Sequence, residues 1–245
     1  MPARSSPRTL GSPGVGPFRA VVTDVDGTLT DASRRLDPLA ISYLRRVEDA
    51  GFPVLLATGN VLPVALALYR ALGLSGPIVA ENGGMLYRKT PERGEVVERL
   101  ADPDVAHRAF RLLVRAGLPV RRLFTDRWRE SEVALEPTVA VSTLRRVLRG
   151  VPVDVESTGF AVHLMESGAG KLPALERALG YEGLRPKDCV ILGDGDNDVS
   201  MLRAAGFGVS FASASSRARR AAHFVTRASY AAGFVEGLKA SRILS

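Results

Sequence analysis

Cysteine is nearly absent from this chain of 245 residues: Cys189 stands alone, so an internal disulfide framework is excluded and a reducing, cytoplasmic setting is expected. Cys189 sits in the apolar run Cys189-Val190-Ile191-Leu192, which favours a buried structural thiol over a nucleophile. Long hydrophobic runs are missing too. Stretches such as Val54 to Ala57 are broken by Gly, Pro or charge far short of the ~18 residues that a membrane span requires, which argues against a membrane protein. The first seventeen residues, rich in Pro, Gly and Ser, lack the apolar centre of a secretory signal and read as a flexible tail. Lysine is scarce: only Lys89, Lys171, Lys187 and Lys239 interrupt the arginines, which carry the net charge of +7. That charge suits anionic partners. The arginines are spread along the chain, however, and clusters such as Arg217, Arg219 and Arg220 are interleaved with Ala instead of aromatics. A solvated helical face explains them better than a nucleic-acid surface, so a small anionic substrate is the expected partner, with no nucleic acid and no membrane. The sequence leaves monomer and homodimer both open.

What remains is ordinary globular composition, 46% hydrophobic and 24% charged, in a chain long enough for a core domain carrying a smaller one. Ala20 to Thr23 reads as a short buried strand, followed by a helix that opens on Asp37-Pro38 and stops at Gly51. Strand Pro53 to Thr58, helix Leu62 to Leu72 and strand Ile78 to Glu81 continue the alternation. It returns later, with helix Leu172 to Leu179, strand Cys189 to Leu192, helix Asp198 to Ala205, strand Phe207 to Phe211, helix Arg217 to Ala222, strand His223 to Thr226 and helix Ala232 to Leu244. Alternation of this kind predicts a parallel sheet covered on both faces. Between Met85 and Glu166 the rhythm changes to helix (Asp104 to Ala116), strand (Val120 to Thr125), strand (Glu132 to Glu136), helix (Val141 to Arg149), strand (Val153 to Glu156), strand (Phe160 to Met165). The expected class is α/β: a Rossmann-like parallel-sheet core over 18–84 and 167–245, an inserted α+β cap over 85–166, and the tail over 1–17.

Open parallel sheets place their sites at the carboxyl ends of strands. Four polar groups follow apolar runs: Asp24-Val25-Asp26-Gly27-Thr28, Thr58-Gly59-Asn60, Lys171 after Gly168-Ala169-Gly170, and Gly193-Asp194-Gly195-Asp196-Asn197-Asp198. Carboxylates gathered from the first and last groups would repel one another unless a cation neutralised them, and hard oxygen donors favour Mg²⁺. Lys171 and the Thr58 hydroxyl suit the remaining oxygens of a phosphate.

This ordered set of motifs resembles the haloacid dehalogenase superfamily from about Phe18 to the C-terminus. Thr58-Gly59-Asn60-Val61-Leu62-Pro63 and Ala80-Glu81-Asn82-Gly83-Gly84 are similar, more narrowly, to archaeal-type phosphoglycolate phosphatases with a C2-type cap. The resemblance implies a nucleophile at Asp24 that becomes an aspartyl phosphate. It implies a general acid and base at Asp26, where a carboxylate favours hydrolysis over preservation of the phosphoenzyme. Mg²⁺ would be held by Asp24, the Asp26 backbone carbonyl and Asp194, with Asp198 a ligand directly or through water. Thr58 and Lys171 would hold the phosphoryl group, Asn197 would support the acidic loop, and Gly59, Asn60, Glu81 and Asn82 would lie beside the substrate. Glu81 to Gly84 also reads as a plain exit turn into the cap.

The expected reaction is therefore Mg²⁺-dependent hydrolysis of 2-phosphoglycolate. A sugar-phosphate phosphatase of the sucrose-phosphate or mannosyl-3-phosphoglycerate type, a phosphohexomutase and a non-catalytic binder on the same fold stand as alternatives. Asp196 reads as a solvated loop residue, and His107, His163 and His223 as structural. Trp128 and Tyr87 read as packing residues, and Arg127 and Arg129 as carboxylate contacts or solvated surface. Ala212-Ser213-Ala214 replaces an Asn-containing loop common among relatives.

Overall fold

The computed structural model describes residues 17–244, so all of the expected tail except Pro17 lies outside the described residues. Strand β1 (Ala20–Thr23) is buried along its whole length. Helix α1 (Pro38–Asp49) begins where Asp37 accepts a hydrogen bond from the Leu39 N–H, with Pro38 in the first turn, as the sequence anticipates. Strand β2 (Val54–Ala57), helix α2 (Leu62–Leu72) and strand β3 (Ile78–Ala80) follow. Past the middle of the chain come α5 (Lys171–Tyr181), β9 (Cys189–Leu192), α6 (Val199–Ala204), β10 (Phe207–Ser210), α7 (Ser216–Ala221), β11 (Phe224–Val225) and α8 (Tyr230–Ala240).

These strands form one sheet in which β1 pairs in parallel with β2 on one side and β9 on the other. Alternate residues feed opposite cores. Val21, Val54 and Leu56 pack with Leu44 of α1, Tyr69 of α2 and Phe234 of α8. Ala20, Val22, Leu55 and Ala57 pack on the other face with Ala174, Leu175 and Leu179 of α5. Strands buried on both faces read as unbroken apolar runs, which is why their sequences show no polar alternation.

The middle of the chain departs from expectation in two places. Met85 to Arg99, counted with the insertion from sequence, forms the hairpin β4 (Met85–Thr90) and β5 (Gly94–Arg99). It runs antiparallel to β3 through Ile78 to Tyr87 and extends the central sheet to eight strands, in the order β11-β10-β9-β1-β2-β3-β4-β5. Beyond it, α3 (Pro103–Arg115) and α4 (Val141–Val147) pack on a separate antiparallel sheet of β6 (Val133–Leu135), β7 (Val153–Ser157) and β8 (Val162–Glu166), ordered β6-β8-β7. The strand expected over Val120 to Thr125 is reduced to one bridge, Arg122 to Leu135, and a tight turn at Phe124–Trp128. The cause is Asp126, whose carboxylate takes the Ala134 N–H at 2.6 Å and leaves that donor unavailable to a longer ladder.

The small sheet has a hydrophobic core of its own, built from residues such as Ala109, Leu113, Val133, Leu144 and Leu164, distinct from the two cores that flank the large sheet. Its two connections to the large sheet run side by side, where the Asp102 N–H donates to Glu166.

Candidate active site

The chain leaves β1 towards β2 on one side and returns to β9 on the other, so the order reverses between β1 and β9. In an open α/β sheet this divergence opens a crevice at the carboxyl ends of the strands. Asp24 follows β1, Thr58 follows β2, Asp194 follows β9, and Lys171 is the first residue of α5. The four sequence groups therefore meet at one edge.

Lys171 is the hub. Its Nζ donates to Asp24 Oδ1 at 2.9 Å and to Asp198 Oδ1 at 2.7 Å, with all three groups buried. Asp198 Oδ2 accepts from the backbone N–H groups of Asp194 and Gly195, so one side chain fixes both the acidic loop and the lysine. Asp194 Oδ1 accepts from the Thr28 hydroxyl. Gly27 lies against the same carboxylate with φ +77, a left-handed conformation, and a β-carbon there would be driven into Asp194. Oδ2 of Asp24 makes no hydrogen bond to the described residues.

Asp24, Asp194 and Asp198 each present an oxygen within 4.8 Å of the others, a spacing that could hold a metal ion. Burial pushes the Asp24 carboxyl well above its usual range, and repulsion from Asp198 and Asp194 adds to the effect, against the pull of Lys171. Burial and Asp198 likewise raise Asp194 to about 7. Burial opposes the Lys171 charge, yet Asp198 and Asp24 outweigh it and hold the ammonium above its ordinary pKa. Three carboxylates around one ammonium are short of positive charge, which is the chemistry that a divalent cation fits.

The remaining residues singled out from sequence divide by position. Asp26 is not one of the three-carboxylate group: its Oδ2 accepts from Asn60 Nδ2 at 2.7 Å and its Oδ1 pairs with Arg34 at 3.1 Å. Thr58 Oγ1 accepts from the Asn60 N–H. Asp24, Asp26, Gly59 and Asn197 line a pocket of ≈ 390 Å³, to which the β7–β8 turn, Ser157 to Phe160, also contributes. Asp196 also lines it, held by Ser215 and Arg217. Ser215 is the contribution of the loop after Ala212-Ser213-Ala214.

Glu81 and Asn82 lie beneath the pocket wall. Glu81 is buried and accepts from the N–H groups of Glu130 and Ser131 and from the Ser131 hydroxyl. Asn82 donates to Glu132 and accepts from Asn197. Arg129, read as a carboxylate contact or as solvated surface, is neither exposed nor free: it pairs with Glu132 and donates to the Gly59 carbonyl at 3.0 Å. Arg127 instead covers the exposed rings of Phe124 and Trp128. His163 meets Glu132 at 3.1 Å and His223 accepts from the Gly208 N–H, both structural contacts. Cys189 is buried, and burial pushes its thiol up to about 12.

Sequence reasoning missed Arg34, Glu132 and the Ser157 to Phe160 turn. None directly follows an apolar strand of the large sheet, the signal that marked Asp24, Thr58 and Asp194. Among the described residues no helix is long and apolar enough to cross a membrane.

The profile of the haloacid dehalogenase-like hydrolases matches residues 21–129 and 146–238. The chain belongs to that family. It is 39% identical over 222 residues to a phosphoglycolate phosphatase of Methanothermobacter thermautotrophicus, covering 91% of this chain and 98% of the relative. A solved Thermoplasma acidophilum protein superposes with a TM-score of 0.82 at 26% identity, covering 93% of this chain and 99% of that one. A haloacid dehalogenase-like hydrolase from Bacteroides thetaiotaomicron shares the fold at 21% identity, with a TM-score of 0.71 over 93% of this chain and 100% of its own. Kinship at this level makes the chain a phosphoric monoester hydrolase.

Proposed function

We propose that the protein hydrolyses 2-phosphoglycolate to glycolate and phosphate, with Asp24 as the group that accepts the phosphoryl. The observation that carries this reading is the buried Lys171 bridge between Asp24 and Asp198 at the strand divergence, which fixes one Asp24 oxygen in a residue that lines the pocket. The relatives that bear the name phosphoglycolate phosphatase supply the substrate, and a pocket of ≈ 390 Å³ lies at the small end of ligand sites.

In the first half-reaction Asp24 forms a bond to phosphorus while the bond to the glycolate oxygen breaks. Asp26 gives its proton to that leaving oxygen, and Asn60 orients the Asp26 carboxyl for the transfer. Lys171 and the Thr58 hydroxyl hold the non-bridging oxygens as charge redistributes. In the second half-reaction Asp26 takes a proton from water, which attacks phosphorus and releases phosphate, and Asp24 is regenerated. A magnesium ion held by Asp24, Asp194, Asp198 and the Asp26 carbonyl would offset the negative charge that surrounds the transferring group. The small sheet and its helices act as the cap, and the Ser157 to Phe160 turn excludes bulk water from the first transfer. The lone, buried Cys189 suits a cytoplasmic protein.

The test is steady-state turnover of 2-phosphoglycolate against a panel of sugar phosphates, with and without Mg²⁺. Chelation should abolish phosphate release, and 2-phosphoglycolate should show the highest kcat/KM. A sugar phosphate in first place would replace the substrate but keep the chemistry. Asp24→Asn should remove turnover by at least a thousandfold with the fold intact by circular dichroism; phosphate release at the natural rate would exclude Asp24.

A further inference from the structure

The pocket described above is rich in negative charge and poor in its opposite. Four aspartates line it, and none of its lining residues is basic. Lys171 is already committed to Asp24 and Asp198. A substrate that brings a second negative group therefore needs a cation at the rim, on the side where the leaving oxygen departs.

Two exposed arginines adjoin that rim; a third, Arg129, is buried and taken up by Glu132 and the Gly59 carbonyl. Arg217 pairs with Asp196 at 3.1 Å through an exposed contact beside Ser215, on the side of the acidic loop. Arg34 stands on the other side. It pairs with Asp26, the residue assigned to the leaving oxygen, while its guanidinium lies 4.2 Å from the centre of the Phe160 ring in the β7–β8 turn. It therefore contacts one pocket residue from the large sheet and one from the proposed cap.

The loop that carries Arg34 is built to hold it there. Thr30 and Leu36 close the loop with an antiparallel bridge. Inside it, one Asp31 oxygen accepts from the Ser33 N–H, the Ser33 hydroxyl and the Arg35 N–H, and the Asp31 carbonyl accepts from the Arg34 N–H. Arg34 itself takes φ 65, a conformation uncommon outside glycine. The side chain remains half exposed, so it is positioned by its loop and its ring contact without being buried.

The geometry points to Arg34 as the residue that reads the organic anion of the substrate: a carboxylate one carbon beyond the ester oxygen. This rests on the reading of the pocket as the site of 2-phosphoglycolate hydrolysis. In that substrate the carboxylate leaves the ester oxygen next to Asp26, where the guanidinium already lies. Arg34 exchanges its Asp26 contact for the substrate carboxylate, which a planar fork of N–H donors matches in a two-point contact. Phe160 contacts the guanidinium from the cap side, so specificity is assembled only when the cap turn is in place. A sugar phosphate offers no carboxylate in this position and leaves Arg34 without its partner.

The experiment compares two esters that differ only at the far end: 2-phosphoglycolate and 2-hydroxyethyl phosphate, which carries an alcohol in place of the carboxylate. The readout is the ratio of their kcat/KM values, which cancels any effect of the substitution on folding or on the phosphoryl chemistry. In the natural protein the ratio should favour 2-phosphoglycolate. Arg34→Gln should lower it by tenfold or more, and Arg34→Lys, a point charge without the fork, should fall in between. A preference that Arg34→Gln lowers by less than tenfold overturns the role of Arg34 and leaves the substrate assignment standing. A natural protein with no preference for the carboxylate overturns both.

Discussion

At the scale of single residues, the site depends on charge balance in a water-poor place. Lys171 keeps two buried carboxylates company, and breaking a buried pair by removing one partner costs about 3–5 kcal/mol. Lys171→Met should therefore lower the unfolding free energy by that amount in urea titrations and should also abolish turnover. Glu132 offers a pH-dependent case. Burial works against its charge, but His163 and Arg129 outweigh burial and hold its pKa below the ordinary 4.5. A carboxyl with a lowered folded-state pKa contributes stability that is present above its unfolded value and lost as pH falls through the folded one. Glu132→Gln should thus cost on the order of 3 kcal/mol near pH 7, and the gap from the natural protein should narrow steadily below about pH 4.5. A gap that stays constant down to pH 3 would mean that Glu132 is not held ionised by its neighbours. The residues gathered around Lys171 were legible in the sequence because each stands directly after an apolar run or at a helix start. Arg34 and Glu132 were not, since their significance lies in partners such as Asp26 for Arg34 and Asn82 and His163 for Glu132, which stand on elements with no shared pattern.

At the scale of elements, periodicity and caps carried most of the information. Asp37-Pro38 and Gly51 marked the ends of a helix, and the unbroken apolar strands told of a sheet covered on both faces. The β4–β5 hairpin escaped notice because its outer strand is exposed and charged, with pairing to β4 instead of burial as its support. The strand anticipated over Val120 to Thr125 failed for the reverse reason, since a side-chain acceptor, Asp126, displaced the backbone one. Gly27 marks a tight fit between elements, where the turn after β1 meets the loop after β9. Gly27→Ala adds both backbone strain and a collision with Asp194. It should reduce kcat at least a hundredfold and lower Tm in a thermal melt.

At the scale of the whole molecule, three hydrophobic cores divide the chain into a large sheet with two covered faces and a small sheet with one. Leu113 is fully buried in the small core, so Leu113→Ala should cost about 2–5 kcal/mol locally. Hydrogen exchange should show faster exchange in β6 and β8 and unchanged protection in β1 and β9; a uniform loss across both sheets would mean that the two open as one unit.

Where the two units touch near the pocket, Glu81 meets Ser131, Asn82 meets Glu132 and Arg129 meets the Gly59 carbonyl through hydrogen bonds, and Arg34 meets the Phe160 ring. Solvent offers each polar group of such a seam a replacement partner when the seam parts. Swinging apart should hence leave little heat-capacity signature, so that the logarithm of the open–closed equilibrium constant should run close to a straight line against inverse temperature.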